Sequence, residues 1–527
     1  MRAIEAAEAE RGNTSEVLME RAGKQVAERT IAWLAARGEP HILALAGPGN
    51  NGGDALVVAR LLADHGWRVR CLTLARDAGR DERLQAPLRD RKVLIAALTL
   101  DRLPAALEWA GVVIDGLLGT GIKRNVEGDL ADVVCRVAEA GRPIVAVDIP
   151  TGVDSDTGAV RGAAMPCDLT VALGLLKYGH VQQPGASLSG KIELGDIGLS
   201  NQTSRANASG ELMTDDTIRA LLPRRPDDAN KGTFGKAMVV AGSVNYTGAA
   251  VLATHGAMRA GAGLVTLACA GDLLVLIAPK LTECTFLPLP SDLGAINPRA
   301  IDKVRDALKD YAALLVGCGL GKEKETAQFL KALLSHVEEE REHRIGFSAR
   351  RTEAAAAKEE QRGGLPPLVL DGDALNLLAE MEDWHDLVPE NSVLTPHPGE
   401  MSRLLGSTVE EVQSDRVNVA RTAARDWKQI VVLKGAGTVV AEPGGKVHIS
   451  PFSNPALATA GTGDVLAGAI VGLLAQGLSP VDAARAGVYL HGMAGEMLSD
   501  EYGPSGGLAG DLPVLLARAD RKLRGKT

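Results

Sequence analysis

One junction recurs along this chain and limits its folds more than any other feature. A short β-branched apolar run ends in a glycine-rich turn, and a segment with helical spacing follows. His41–Ala46 (HILALA) runs into a Gly turn, then Ala55–His65 (ALVVARLLADH) has helical spacing. Val69–Leu74, Val112–Ile114 and Ile144–Val147 are further runs of this kind, and Ala237–Ala241, Ala312–Val316, Leu368–Leu370, Ser392–Leu394 and Ile430–Leu433 repeat it later. Strands alternating with helices predict α/β domains, the first a doubly wound, Rossmann-like parallel sheet. Between the two series, Leu199–Gly210 (LSNQTSRANASG) is small, polar and without period, and is predicted to be a linker. The expected domains are therefore residues 1–205 and 213–520. Within the second, His336–Gly364 is charge-dense and reads as a solvated helical insertion with no function assigned.

Composition removes several function classes. The net charge is −9 and aromatics are 3% of 527 residues. There is neither a basic stripe nor an aromatic platform for nucleic acid. Six scattered Cys without a CxxC pair predict buried thiols in a reducing compartment, not a disulfide framework or zinc site. The first residues lack an apolar core for a signal peptide, and Val465–Leu478 is too short to span a bilayer and reads as a buried helix. A cytoplasmic homo-oligomer acting on small molecules, with no membrane or nucleic-acid partner, is expected.

Two motifs mislead. Gly47–Gly52 (GPGNNG) matches GxGxxG, but Asp54 follows at the helix start, where it would repel a pyrophosphate, and the second strand ends in Arg76 before Asp77 instead of a clean ribose-binding acid. Gly185–Lys191 (GASLSGK) has P-loop spacing, yet Ile192 replaces the magnesium-binding Ser or Thr and a strand-like IELGDIG follows.

Other strand ends carry acids. Asn50, Asn51 and Asp54 lie after the first strand, Asp115 ends the run before Gly119–Asn125, and Asp148 ends another with Thr151 three residues on. Each Asp alone would read as a helix cap. Three acid-bearing Gly loops at one sheet edge favour a site, and the oxygen donors Asn51, Asp115 and Thr151 suit a hard cation.

These strings resemble the NAD(P)H-hydrate epimerase family over nearly all of residues 1–200. The resemblance implies that Asn50, Asn51, Gly52, Gly53 and Asp54, with Gly119, Thr120, Gly121, Ile122, Lys123, Arg124 and Asn125, hold a hydrated nicotinamide dinucleotide. It implies potassium ligands at Asn51, Asp115 and Thr151, and a substrate-contacting carboxylate at Asp148. Ala55 departs from the family's usual Gly.

In the second half, Leu457–Leu466 (LATAGTGDVL) opens an apolar helix with Gly461-Thr462-Gly463, an anion cradle of backbone N–H groups. Asp464 in the same turn is costly beside an anion unless it acts as a general base on an attacking hydroxyl. A capping Asp would leave the glycines unexplained. Lys434 in VVLKGAGTVV could reach nucleotide phosphates, and His397 in LTPHPGE, on a loop fixed by two prolines, reads as a substrate contact over a metal ligand.

The pair KGAGT and GTGD looks like the ribokinase-like fold. With KGTFGKAMVVAGS, TPHPGE and NPALATAGTGDVLAG, it resembles the ADP-dependent NAD(P)H-hydrate dehydratase family over roughly residues 213–520. The resemblance implies nucleotide binding at Lys434, Gly435, Ala436, Gly437, Thr438 and Gly463, hydrate binding at Ala249, Gly319, His397 and Asp464, and magnesium on the ADP phosphates. Ala456 and Ala460 stand where Gly is usual. Both halves together look like a bifunctional nicotinamide-nucleotide repair enzyme. ADP would phosphorylate the ring hydroxyl, Asp464 would remove its proton, and the ring nitrogen would expel the phosphate. Alternatives are a small-molecule kinase, or a first half that only binds nucleotide and regulates the second.

Overall fold

The computed structural model describes residues 2–36, 40–74, 78–342 and 364–525. Arg76 and Asp77, and residues 343–363 of the charged insertion, lie outside them. The chain forms two compact units, Met1–Ser209 and Gly210–Thr527.

The first unit is a seven-stranded parallel sheet. Its strands are β1 (Ile42–Ala46), β2 (Val69–Thr73), β3 (Leu94–Ala97), β4 (Val112–Gly116), β5 (Ile144–Val147), β6 (Leu169–Leu173) and β7 (Lys191–Gly195), in the order β3-β2-β1-β4-β5-β6-β7. Side chains alternate along each strand, so Ile42 and Ala44 join a core with helices Ser15–Leu34 and Asn50–Asp64 on one face. Leu43 and Leu45 join another with Leu103–Trp109 and Asp129–Glu139 on the opposite face. Burial on both faces explains the continuous apolar runs. The strand order reverses between β1 and β4, where such sheets bind ligands.

The second unit has a ten-stranded sheet. It comprises β8 (Gly210–Leu212), β9 (Lys236–Val240), β10 (Leu264–Ala270), β11 (Thr285–Leu289), β14 (Ala313–Val316), β15 (Leu368–Leu370), β16 (Val393–Leu394), β17 (Ile430–Leu433), β18 (Val439–Ala441) and β19 (Val447–Ile449). A hairpin of β12 (Ser291–Asp292) and β13 (Ala295–Ile296) stands apart. The order is β11-β10-β9-β14-β15-β16-β17-β18-β19-β8, parallel except where β18 pairs with β17 and β19. Helix Thr462–Ala475, buried along almost all its length, packs on Thr247–Arg259. Gly468 permits that approach, because a Cβ there would lie 2.1 Å from the Ala253 carbonyl oxygen.

Three expectations need correction. The polar 199–210 segment is not irregular: Ser200 caps a helix over Asn201–Asn207, and Gly210 already begins β8. Its Ser, Thr and Asn residues form the cap and first turn that such side chains favour. The six cysteines are free, but Cys135 is exposed and Cys284 only partly buried. Asp54 does not start its helix; Asn50 does, so Asp54 lies in the second turn. The rejected P-loop is a four-residue helix followed by β7, which Lys191 opens. Among the described residues no helix is long and apolar enough to cross a membrane.

Candidate active sites

In the first unit, β1, β4 and β5 are neighbours, so their carboxyl ends bring three predicted loops together. They border a cleft of about 500 Å³, lined by Asn50, Asn51, Asp54, Gly119, Thr120, Gly121, Ile122 and Asp148 among others. Met19 and Leu18 of helix Ser15–Leu34 supply an apolar wall. Gly52 and Gly53 lie behind this lining. A Cβ on Gly52 would meet the Gly47 carbonyl oxygen at 2.0 Å, so glycine there lets the helix start close on its loop. Lys123, Arg124 and Asn125 are exposed and outside the lining.

Asn51, Asp115 and Thr151 converge on the Leu117–Leu118 backbone. Thr151 Oγ1 donates to Asp115 Oδ1 at 2.7 Å and accepts from Leu118 N at 3.0 Å, while Asn51 Nδ2 donates to Leu118 O at 2.9 Å. Asp115 also accepts from Thr151 N at 2.8 Å and Leu117 N at 3.2 Å. Full burial pushes its carboxyl up, and these hydrogen bonds offset part of that rise. A buried carboxylate whose described partners are all neutral donors could hold a cation.

Asp148 follows β5 in the left-handed region, at φ 66°. Leu173 N donates to its Oδ1 at 2.9 Å, and the ammonium of buried Lys177 is paired with the same oxygen. Sequence reasoning missed Lys177 and His180. Their signal was a further strand-to-Gly junction, LTVALGLLKYGH, after the unrecognised strand β6.

In the second unit, Gly461 caps helix Thr462–Ala475 with φ 92°, which places Gly463 and Asp464 in its first turn. A Cβ on Gly463 would lie 3.3 Å from Lys434 Nζ, so the KGAGT loop and the cradle meet. The Lys434 ammonium does not stand free for phosphate. It donates to Asp371 Oδ1 at 2.7 Å and lies 3.6 Å from Glu400 Oε2. Thr438 Oγ1 donates to Gly435 O at 2.7 Å and accepts from Gly435 N at 3.2 Å, closing the loop around exposed Ala436. Gly435 and Gly437 have positive φ. The Gly435 and Gly437 N–H groups are spent within the protein, on Thr438 Oγ1 and on Phe452 O at 3.0 Å.

Asp464, Asp371 and Cys318 bring carboxylate oxygens and a sulfur within 4.8 Å of one another. Burial, then the Asp371 charge, raise the Asp464 carboxyl to about 7. That value suits a general base at neutral pH. Beside Cys318, Gly319 (φ 62°) abuts Ala249: a Cβ on Gly319 would lie 2.8 Å from Ala249 Cβ. The predicted pair is thus in mutual contact. His397 has a second task. Its Nδ1 accepts from Gly399 N at 3.0 Å and Glu400 N at 3.3 Å, capping helix Pro398–Leu405. Burial and the Lys434 charge lower its pKa to about 4, so the ring is neutral and its proton sits on Nε2. Asp371 and Glu400 were not singled out from sequence as site residues.

Residues 237–343 and 346–516 match the family model described as NAD(P)H-hydrate dehydratase, and residues 15–179 match that described as YjeF-related protein N-terminus. The bifunctional NAD(P)H-hydrate repair enzyme of Moorella thermoacetica is 38% identical over 519 residues, which cover 96% of this chain and 92% of that protein. Its namesake in Escherichia coli is 33% identical over 482 residues, covering 91% and 84%. A crystal structure of the ADP/ATP-dependent NAD(P)H-hydrate dehydratase from Bacillus subtilis, co-crystallised with ATP and Mg2+, is 32% identical with a TM-score of 0.48, covering 59% of this chain and 98% of that one.

Proposed function

The chain belongs to the bifunctional NAD(P)H-hydrate repair enzyme family, and we propose from that premise how its two sheet edges divide the work. The enzyme interconverts the R and S hydrates of NADH and NADPH and returns the S form to the reduced nucleotide at the expense of ADP, giving AMP and phosphate. We assign epimerisation to residues 1–205 and dehydration to residues 213–520.

In the first site, Asn50, Asn51, Asp54 and the Gly119–Ile122 loop hold the hydrated dinucleotide, with Gly52 and Gly53 shaping the turn and Lys123, Arg124 and Asn125 beside it. Asp148 moves the proton. Asn51, Asp115 and Thr151 hold potassium, which when bound neutralises the buried Asp115 charge and steadies the loop after β4. The support is that Asn51 Nδ2 and Thr151 Oγ1 both bond the Leu118 backbone while Thr151 Oγ1 donates to Asp115.

In the second site, the observation that carries the reading is Asp464 beside a cradle that touches the KGAGT loop. Asp464 takes the proton from the ring hydroxyl as its oxygen attacks the β-phosphorus of ADP, and AMP leaves. Backbone N–H groups of Gly461 and Gly463 stabilise charge on the transferred group, the Thr462 N–H being held by Thr459 O at 3.3 Å. The ring nitrogen lone pair then expels phosphate, and loss of a ring proton restores the dihydronicotinamide. Ala249, Gly319 and His397 bound the hydrate, and Lys434, Gly435, Ala436, Gly437, Thr438 and Gly463 bound the nucleotide. Magnesium, held by the phosphates of ADP, offsets their charge.

Free thiols fit a reducing compartment, which we take to be the cytoplasm. Exposed Val275, Leu276 and Leu293 support self-association as a homo-oligomer.

The test gives the full chain one pure epimer without nucleotide and follows the other by chromatography. ADP is then added and the absorbance of reduced nicotinamide is recorded. Failure of the second epimer to form faster than in buffer would make the first unit a binding module. Failure of absorbance to return would remove the dehydratase assignment.

A further inference from the structure

We infer that Lys177 is a positioning residue of the epimerase site, holding one carboxylate oxygen of Asp148 so that the other faces the hydrated ring. The inference rests on the reading of Asp148 as the proton-transferring group.

The geometry is a closed set of contacts around one residue. The Lys177 side chain is only 6% exposed, and its ammonium donates to Leu173 O at 2.9 Å as well as to Asp148 Oδ1. Leu173 N donates to that same Oδ1 at 2.9 Å. The end of β6 and the lysine after it therefore grip a single oxygen from two sides. Asp148 borders the cleft, whereas Lys177 is not in its lining. The lysine thus acts from behind the carboxylate and does not touch substrate.

The backbone of Asp148 is held as firmly. Its N–H donates to Val171 O at 3.0 Å. Lys177 N donates to His180 Nδ1 at 3.1 Å, which leaves the ring proton on Nε2. That nitrogen in turn donates to Asp148 O at 2.8 Å. His180 stays neutral, since burial and the Lys177 charge lower it to about 4. A left-handed φ on a non-glycine residue is disfavoured and persists where the surroundings over-determine it. Here Lys177 supplies both an ammonium for the carboxylate and an amide for the histidine that holds the carbonyl. Among the described residues, Lys177 and His180 are titratable side chains bonded to Asp148, and Asp54 lines the same cleft.

A carboxylate fixed in this way loses little orientation entropy in the transition state. Released, it would rotate out of the orientation the reaction needs.

The experiment uses the full chain without nucleotide and one pure epimer, with kcat and KM measured for each variant. Lys177→Met should lower epimerase kcat by about 10²-fold and leave KM within about threefold. Lys177→Gln keeps a donor for the Leu173 carbonyl and should show the same split of kcat from KM if the Met variant does not fold. Placed on Asp148→Asn, Lys177→Met should cost less than about threefold more, because a residue acting only through another is non-additive with it. Unchanged kcat in a folded Lys177 variant, or a fully multiplicative loss in the double variant, would overturn the inference. Near-normal turnover in Asp148→Asn alone would instead remove the proton-transfer role of Asp148.

Discussion

The ammonium of Lys434, at the end of β17, donates to the carboxylate of Asp371, at the end of β15, at 2.7 Å. Asp371 is buried and Lys434 largely so, and Thr395 Oγ1 donates to the same oxygen at 2.6 Å from the loop between them in the sheet. The pair ties the nucleotide loop to the carboxylate that stands beside Asp464. Removing one member of such a pair leaves an uncompensated buried charge, at about 3–5 kcal/mol. Lys434→Met should therefore lower stability by about that amount in urea unfolding, and Asp371→Asn added to it should recover part of the loss. A purely additive double variant would mean that the pair carries no coupling.

Asp464→Asn should remove nucleotide-dependent dehydration by about 10²–10⁴-fold while largely keeping ADP affinity. Turnover is read from nicotinamide absorbance and affinity from calorimetry. Near-normal turnover would reduce Asp464 to a capping residue.

The same carboxyl links activity and stability to pH with opposite signs. Its pKa rises from 3.8 to about 7 in the folded chain, with burial first among the causes, and Glu400 rises from 4.5 to about 7 for the same first reason. The base form is needed for catalysis, so dehydratase kcat should climb with pH through about 7. The folded chain binds more protons than the unfolded chain between about 4 and 7, so stability from these groups falls across that window as pH rises. Melting temperature from pH 5 to 8 should therefore decline less steeply in Asp464→Asn than in the parent. An equal slope would remove Asp464 as a source of the decline.

Potassium should raise the melting temperature of the full chain, and a large organic cation at equal ionic strength should not. A ligand that binds only the folded state adds about 2.7 kcal/mol at a hundred times its Kd. Asp115→Ala should abolish the difference between the two salts whatever its own stability. Persistence of the potassium effect in that variant would move the ion elsewhere.

Gly52→Ala should suppress epimerisation far more than dehydration. Its Cβ would lie 2.0 Å from a backbone oxygen of Gly47, which has no flexible end to move aside, so the Asn50–Asp54 turn must shift. A shift of about 1 Å can cost on the order of 10²-fold in rate. Both activities, measured on one preparation, check this; equal loss of both would point to unfolding of the chain.

The local sequence was enough for the α/β class and for the places where chemistry-bearing turns begin. Strand-to-Gly-to-helix junctions are short-range signals, so NNGGD and KGAGT could be placed at strand ends, and GTGD at a helix start, before any contact was known. The edge strand β3, with Leu94 60% exposed, lacked the continuous buried run and escaped notice. The helix hidden in 199–210 escaped because polar caps and loops share a composition. Strand order and side-chain partners were different in kind. That β1 lies against β4, and β4 against β5, is decided by which crossovers bury both sheet faces, and only this brings Asn51, Asp115 and Thr151 onto one backbone segment. Lys177 reaches Asp148 across 29 residues and Lys434 reaches Asp371 across 63. No local pattern encodes such pairs. They form because a charge excluded from water must find its partner among whatever side chains the folded sheet presents at the same edge.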